Sequence, residues 1–262
     1  MNNPPLALLP EPLKLKRDGK NFIEYNRLDQ KNKNLPEVLF LSGFKSDMMG
    51  TKATYLENLC QDRGQTYTRF DYFGHGLSSG EFTEGTIGLW LSDTLAMIDE
   101  VTCGPLILVG SSMGGWLMIL AALARPDRIC GLIGIAAAPD FTEELIWAGF
   151  TETQRLDFLR QGIIQTPSQY EHEGFPITLQ LVEEGRGHLV LRKALPIQCP
   201  VHLIHGDNDQ DVPFELSQRL AKNVKSPAVT LTLIKGGDHR LNTPLALGRL
   251  ASILDEVSEG ER

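Results

Sequence analysis

Two adjacent serines sit between glycines in LVGSSMGGWLM, residues 108–118. Only Ser112 has a glycine two places to either side, Gly110 and Gly114. The apolar run PLILVG precedes it and GGWLMILAALA follows. A strand, a tight turn and a helix in that order hold a serine hydroxyl above a sheet edge. The turn is strained, so its neighbours must be small. The helix that follows points free N–H groups and a positive end at the same spot, where a developing oxyanion is stabilised. Ser112 is the candidate nucleophile, and Ser111, out of frame, is expected to be a polar neighbour. The chemistry implied is acyl transfer.

A serine hydroxyl needs a base, and the base needs an orienting acid. On such a sheet the chain order is serine, then acid, then histidine. His75 precedes the serine, and His172 and His188 fall within residues 140–195, a helical stretch that reads as a lid. His202 and His205 lie in or just after a strand, whereas His239, in KGGDHR, follows the last predicted strand. Loops at the carboxyl ends of strands are where these sheets carry chemistry, so His239 is the candidate base ahead of His188 or His205. HGDNDQDVP offers three acids, Asp207, Asp209 and Asp211. Asp207 could shape the turn, and Asp211 could sit at a helix start. Asp209 has neither duty, which favours it without removing the other two. Backbone N–H groups of Phe44, in LSGF, and of Met113 are the candidate oxyanion donors. Met48, Met49, Phe141 and Trp147 are candidate substrate contacts. RFDYFGHGLSSG lacks a following GK[ST], and its glycines are wrongly spaced for a dinucleotide loop, so it reads as structural support. No His, Cys, Asp and Glu group has metal spacing. Neither metal nor cofactor is expected.

The elements that must position these residues follow from the rhythm of the chain. LKLKRDGKNFIEYN reads as a hairpin turning at Asp18-Gly19. From there apolar strands alternate with helices: EVLFL, then TKATYLENLCQDRG, QTYTRFDY, TIGLWLSDTLAMIDEV, PLILVG, GGWLMILAALA and ICGLIGIAAAP. In TIGLWLSDTLAMIDEV the apolar face is expected on Ile87, Leu91, Leu95 and Ile98. Strands apolar throughout imply a mostly parallel sheet covered by helices on both faces, an α/β fold. Residues 140–195 break the rhythm with helical stretches and no convincing strand. They read as a lid inserted into a core of residues 1–139 and 196–262. The alternation resumes with PVHLIHGD and ends on a helix capped by Thr243 with Pro244 at its first position.

The bulk numbers restrict the function classes. The chain has 262 residues, 22% charged, with a net charge of -8. That charge opposes a polyanionic partner, so nucleic acid is not expected. No apolar stretch spans a bilayer. MNNPPLALLPEP has neither a secretory core nor transit-peptide character, which predicts a cytoplasmic protein. Cys60, Cys103, Cys130 and Cys199 form no CxxC, and buried thiols are expected.

Taken in order, LSGF, RFDYFGHGLSSG, GSSMGG, HGDNDQDVP and GGDHR resemble the serine α/β-hydrolases. Within these, MMGTKA, RFDY, LVGSSMGGWLM, ARP and DHR are similar to the mitochondrial palmitoyl-protein thioesterases that also act as acyl-glucuronide esterases. The similarity runs from about residue 38 to the end. It implies Ser112 as nucleophile, Asp209 as acid, His239 as base, and Phe44 and Met113 as backbone donors. The expected activity is hydrolysis of carboxylic esters or acyl thioesters of a small or acylated substrate, through an acyl-enzyme. The alternatives are a lyase, acyltransferase or carbon–carbon hydrolase with the same triad, or a non-catalytic binding protein.

Overall fold

A computed structural model describes residues 11–30, 34–166 and 174–260. The first ten residues, on which the reading of the N-terminus rests, and His172 lie outside the described residues. The strands β1 (Leu13–Lys16), β2 (Phe22–Leu28), β3 (Glu37–Leu41), β4 (Tyr67–Phe70), β5 (Leu106–Ser111), β6 (Ile129–Ile135), β9 (Val201–Gly206) and β10 (Val229–Ile234) form one sheet. Their order is β1-β2-β4-β3-β5-β6-β9-β10. β1 and β2 make the expected antiparallel hairpin, and β2 pairs antiparallel with β4. From β4 to β10 all pairings are parallel.

Both faces are covered, as the apolar runs require. In β3, Leu39 and Leu41 pack toward α2 (Ile87–Ala96) and α3 (Met113–Ala124). Val38 and Phe40 face α1 (Thr51–Arg63) and α7 (Pro244–Glu259). This is the period-two alternation of a strand buried on both sides. Helix α3 is apolar all round, with Trp116, Leu117 and Met118 fully buried, as fits a helix enclosed by its neighbours. Helix α1 ends at Gly64 in the left-handed conformation, φ 64°. The Thr243 hydroxyl caps α7 by accepting from Ala246 N.

The apolar face expected of TIGLWLSDTLAMIDEV is met at Ile87 and Ile98, both fully buried, but not between them. Trp90 and Thr94 are fully buried, while Leu91 and Leu95 are only half-buried. The indole sets the register: its ring lies under Gly85, and Nε1 donates to Phe73 O at 3.0 Å. Cys103 also departs from expectation. It is exposed, while Cys60 is buried, and all four thiols are free.

Between β6 and β9 lie α4 (Glu152–Gln161), α5 (Leu179–Gly185) and a hairpin of β7 (Ile163–Thr166) with β8 (Phe175–Thr178). The hairpin was not expected; PITLQLVEEGRG reads as one helix from Pro176. In the structure Pro176 is in β8 opposite Gln165, and Thr178 instead caps α5. The β-branched Ile163, Ile164, Thr166, Ile177 and Thr178 favour an extended pair, and a two-stranded sheet has only edges, where proline is tolerated. Asp140 ties this segment closed at its base. Its buried carboxylate accepts Val190 N at 2.8 Å and Leu191 N at 2.9 Å.

Candidate active site

The strand order reverses at β3, which has β4 on one side and β5 on the other. The connections leaving β3 and β5 therefore diverge and open a crevice at the carboxyl edge of the sheet. Ser112 stands there between β5 and α3, at φ 54° and ψ −120°. A non-glycine residue in that region is strained and persists only where its surroundings hold it. Backbone bonds supply the restraint: Ser112 N donates to Ile135 O at 2.9 Å, and Ser112 O accepts Ala138 N at 3.0 Å. A side chain on Gly110 would strike the Gly114 backbone, and one on Gly114 would strike the Leu41 carbonyl. The glycine frame seen in the sequence is thus a steric requirement. Ser111 ends β5, paired with Ile135.

His239 follows β10 and brings Nε2 to 3.0 Å from Ser112 Oγ. Its Nδ1 lies 2.8 Å from Asp209 Oδ2. Asp209, with its side chain fully buried, also accepts Asp211 N and Val212 N on Oδ1, each at 2.9 Å. Burial alone would raise the carboxyl pKa. Hydrogen bonds from His205 and His239, the charge of His239 and the Val212 N–H overcome that and hold it below the usual carboxylate range. The other two acids differ. Asp207 Oδ1 accepts Gly236 N and closes the loop after β10, while Asp211 is exposed.

Phe44 and Met113 both line the cavity over Ser112, and among the described residues neither N–H has a partner in the protein. The Phe44 loop is held by a residue that the sequence reading treated as mere support. His75 Nδ1 meets Phe73 O at 3.1 Å, and Nε2 accepts the Lys45 N–H at 3.1 Å. Burial lowers the His75 pKa to about 4. The ring is therefore neutral, and its Nε2 lone pair is available to Lys45, which sits at φ 53°. The Phe44 ring packs against Phe82 at 4.9 Å and Phe141 at 5.5 Å.

The cavity is about 530 Å³. Its lining includes apolar Phe44, Phe141, Leu145, Ile146, Phe175 and Ile177, together with polar Lys45, Lys52, Arg240 and Asn242. Of the candidate substrate contacts, Phe141 lines the cavity. Met48, Met49 and Trp147 do not line the cavity. Met48 is buried with its N–H on Asp71 Oδ1 at 2.6 Å, and Met49 is exposed against Arg69. The Trp147 ring has the guanidinium groups of Arg155 and Arg186 over it, at 5.4 and 4.7 Å. Phe175 and Ile177 were missed because their strand was missed. Asp209, Asp211 and His239 place ligand-type atoms within 4.8 Å of one another, but Asp209 and His239 already face each other in a hydrogen bond.

The sequence profile described as "Alpha/beta hydrolase family" matches residues 38–247. The chain belongs to that family. It is 40% identical over 244 residues to the mouse protein named "Palmitoyl-protein thioesterase ABHD10, mitochondrial", covering 93% of this chain and 81% of the relative. The solved mouse structure, "Alpha/beta hydrolase domain-containing protein 10", superposes with a TM-score of 0.87 at 37% identity, covering 94% of this chain and 97% of that one. A putative hydrolase from Agrobacterium vitis S4 gives a TM-score of 0.89 at 33% identity, covering 95% and 98%. The expected cytoplasmic location of this α/β hydrolase is corrected by these relatives. The mouse, rat, bovine and human proteins all carry the word mitochondrial in their names. Among its described residues, no helix is long and apolar enough to cross a membrane.

Proposed function

We propose that this α/β hydrolase cleaves long-chain acyl esters and thioesters through an acyl-enzyme on Ser112. The coarser part, an ester- or thioester-cleaving hydrolase, follows from the family and from relatives named as thioesterases. The observation that carries the finer part is the hydrogen-bonded line Ser112 Oγ, His239 Nε2, His239 Nδ1, Asp209 Oδ2.

In this reading His239 Nε2 takes the Ser112 proton as Oγ adds to the acyl carbonyl carbon. The carbonyl oxygen becomes an oxyanion facing the N–H groups of Phe44 and Met113. Donors fixed before the charge appears cost no reorganisation when it does. Collapse breaks the bond to the leaving sulfur or oxygen, which receives the proton from His239, and the acyl group stays on Ser112. Water then adds to the acyl carbon and gives its proton to His239. The second collapse frees the carboxylic acid and restores the Ser112 hydroxyl. Asp209 keeps the Nδ1–H tautomer in place and stabilises the imidazolium in both halves.

The apolar side chains of the lining support a fatty acyl chain as the group retained. Those from the hairpin and from residues 140–150 belong to the segment read as a lid. Each methylene buried there contributes roughly 0.8 kcal/mol, about fourfold in kcat/KM. Acyl thioesters and p-nitrophenyl esters from C2 to C16 are therefore expected to rise steeply and then level once the cavity is filled. A flat profile from acetyl to octanoyl rejects the acyl site.

A further inference from the structure

Behind the acid lies a second histidine. His205 sits in β9, fully buried. Its Nε2 is 3.1 Å from Asp209 Oδ2 and 2.9 Å from Val212 O. Its Nδ1 is 2.7 Å from the hydroxyl of Ser217, a fully buried residue of α6 (Glu215–Asn223). Both neighbours of Nε2 can only accept, so Nε2 carries the hydrogen. In the neutral ring Nδ1 is the lone pair to which the Ser217 hydroxyl donates.

These assignments complete the shell of Asp209. Oδ1 accepts two backbone N–H groups, and Oδ2 accepts two imidazoles, His205 and His239. A carboxylate offers about four such sites. The backbone bonds pin one oxygen. Among the described residues, only His205, besides His239 itself, restrains the other.

We propose that His205, oriented by Ser217, is a positioning residue for the hydrolytic reaction: its Nε2–H holds Asp209 Oδ2 in line with His239 Nδ1. The inference rests on the reading of Ser112, His239 and Asp209 as a triad. His205 does not line the cavity over Ser112. Its influence must therefore pass through Asp209. Without the donor, Oδ2 loses one of its two restraints inside the protein, and the carboxylate is free to turn away from the base. A purely structural role, filling buried space and satisfying buried polar atoms, would affect stability and leave kcat alone.

The test is steady-state kinetics on one p-nitrophenyl ester, well below the thermal midpoint of each variant. His205→Leu, His205→Gln and Ser217→Ala are measured alone and in an Asp209→Asn background. His205→Leu is expected to lower kcat about 10- to 100-fold with KM within about twofold. His205→Gln, which keeps an N–H donor, should recover most of that loss. Ser217→Ala should lower kcat about three- to tenfold. In the Asp209→Asn background, His205→Leu should change kcat less than about twofold, because the carboxylate it serves is already gone. A folded His205→Leu with kcat within twofold of the parent overturns the proposal, as does an equal loss in the Asp209→Asn background. If His205→Leu does not fold, Ser217→Ala decides, and kcat within twofold of the parent is the negative result. Near-normal turnover in Asp209→Asn would remove the triad and this inference together. Collapse in Asp209→Asn beside a normal His205→Leu would remove this inference alone.

Discussion

Ser112→Ala is expected to abolish ester hydrolysis, with kcat falling roughly 10⁵- to 10⁶-fold, and to end labelling by a fluorophosphonate probe. Ser111→Ala is expected to keep both. The two residues are adjacent but differently placed. Ser111 is the last residue of β5, while Ser112 occupies the strained turn with Oγ 3.0 Å from His239 Nε2. The backbone bonds that hold the turn, from Ser112 N to Ile135 O and from Ala138 N to Ser112 O, use no side-chain atom of Ser112. The alanine variant should thus fold and melt like the parent. The outcome also separates a catalyst from a binding protein on the same fold, since a binder gains no covalent label. Labelling that disappears with Ser111→Ala and survives Ser112→Ala would reverse the assignment.

The second large effect is expected at the acid. Asp209→Asn should lower kcat by up to about 10⁴-fold with far less change in KM. An amide in place of the carboxylate can no longer hold His239 in the Nδ1–H tautomer or stabilise the imidazolium. The neighbours are controls with different duties. Asp207 binds the Gly236 N–H, so Asp207→Asn is expected to cost stability through the loop that carries His239. Asp211 is exposed, and its hydrogen bond to Asp209 comes from its backbone N–H rather than its side chain. Asp211→Asn should leave kcat within a few-fold of the parent. Near-normal turnover in Asp209→Asn, with collapse in Asp211→Asn, would show that the wrong acid had been chosen.

What was legible in the sequence was what short-range sterics or burial dictate. The glycine frame at Gly110, Ser112 and Gly114 is one such case, because the clash it avoids arises within the turn and its contact with β3. The parallel strands are another, since burial on both faces leaves an unbroken apolar run such as ILV in β5. The features that were missed depend on how loops and strands fold back on one another, which no local pattern in the sequence announces. β8 exists because residues 175–178 find 163–166, and Pro176 disguises the pairing. Met48 turns inward because Asp71, 23 residues on, takes its N–H. Trp147 is held by two arginines rather than by the cavity. His205 looked like a weaker candidate for the base. Its contact with the acid becomes visible only when the loop after β9 folds back over the strand end, bringing Asp209 and Val212 to one ring nitrogen. His75 was hidden in the same way, since the N–H it accepts belongs to a loop 30 residues earlier.

The most direct test of the account is acid-quenched mass spectrometry of the protein during turnover of a long-chain acyl thioester, followed by peptide mapping. The intact chain should gain the mass of one acyl group, and fragmentation should place it on Ser112. The adduct should vanish as substrate is consumed. An acyl group mapped to the exposed thiol of Cys103, or no adduct while thioester is being hydrolysed by a protein that retains Ser112, would contradict it.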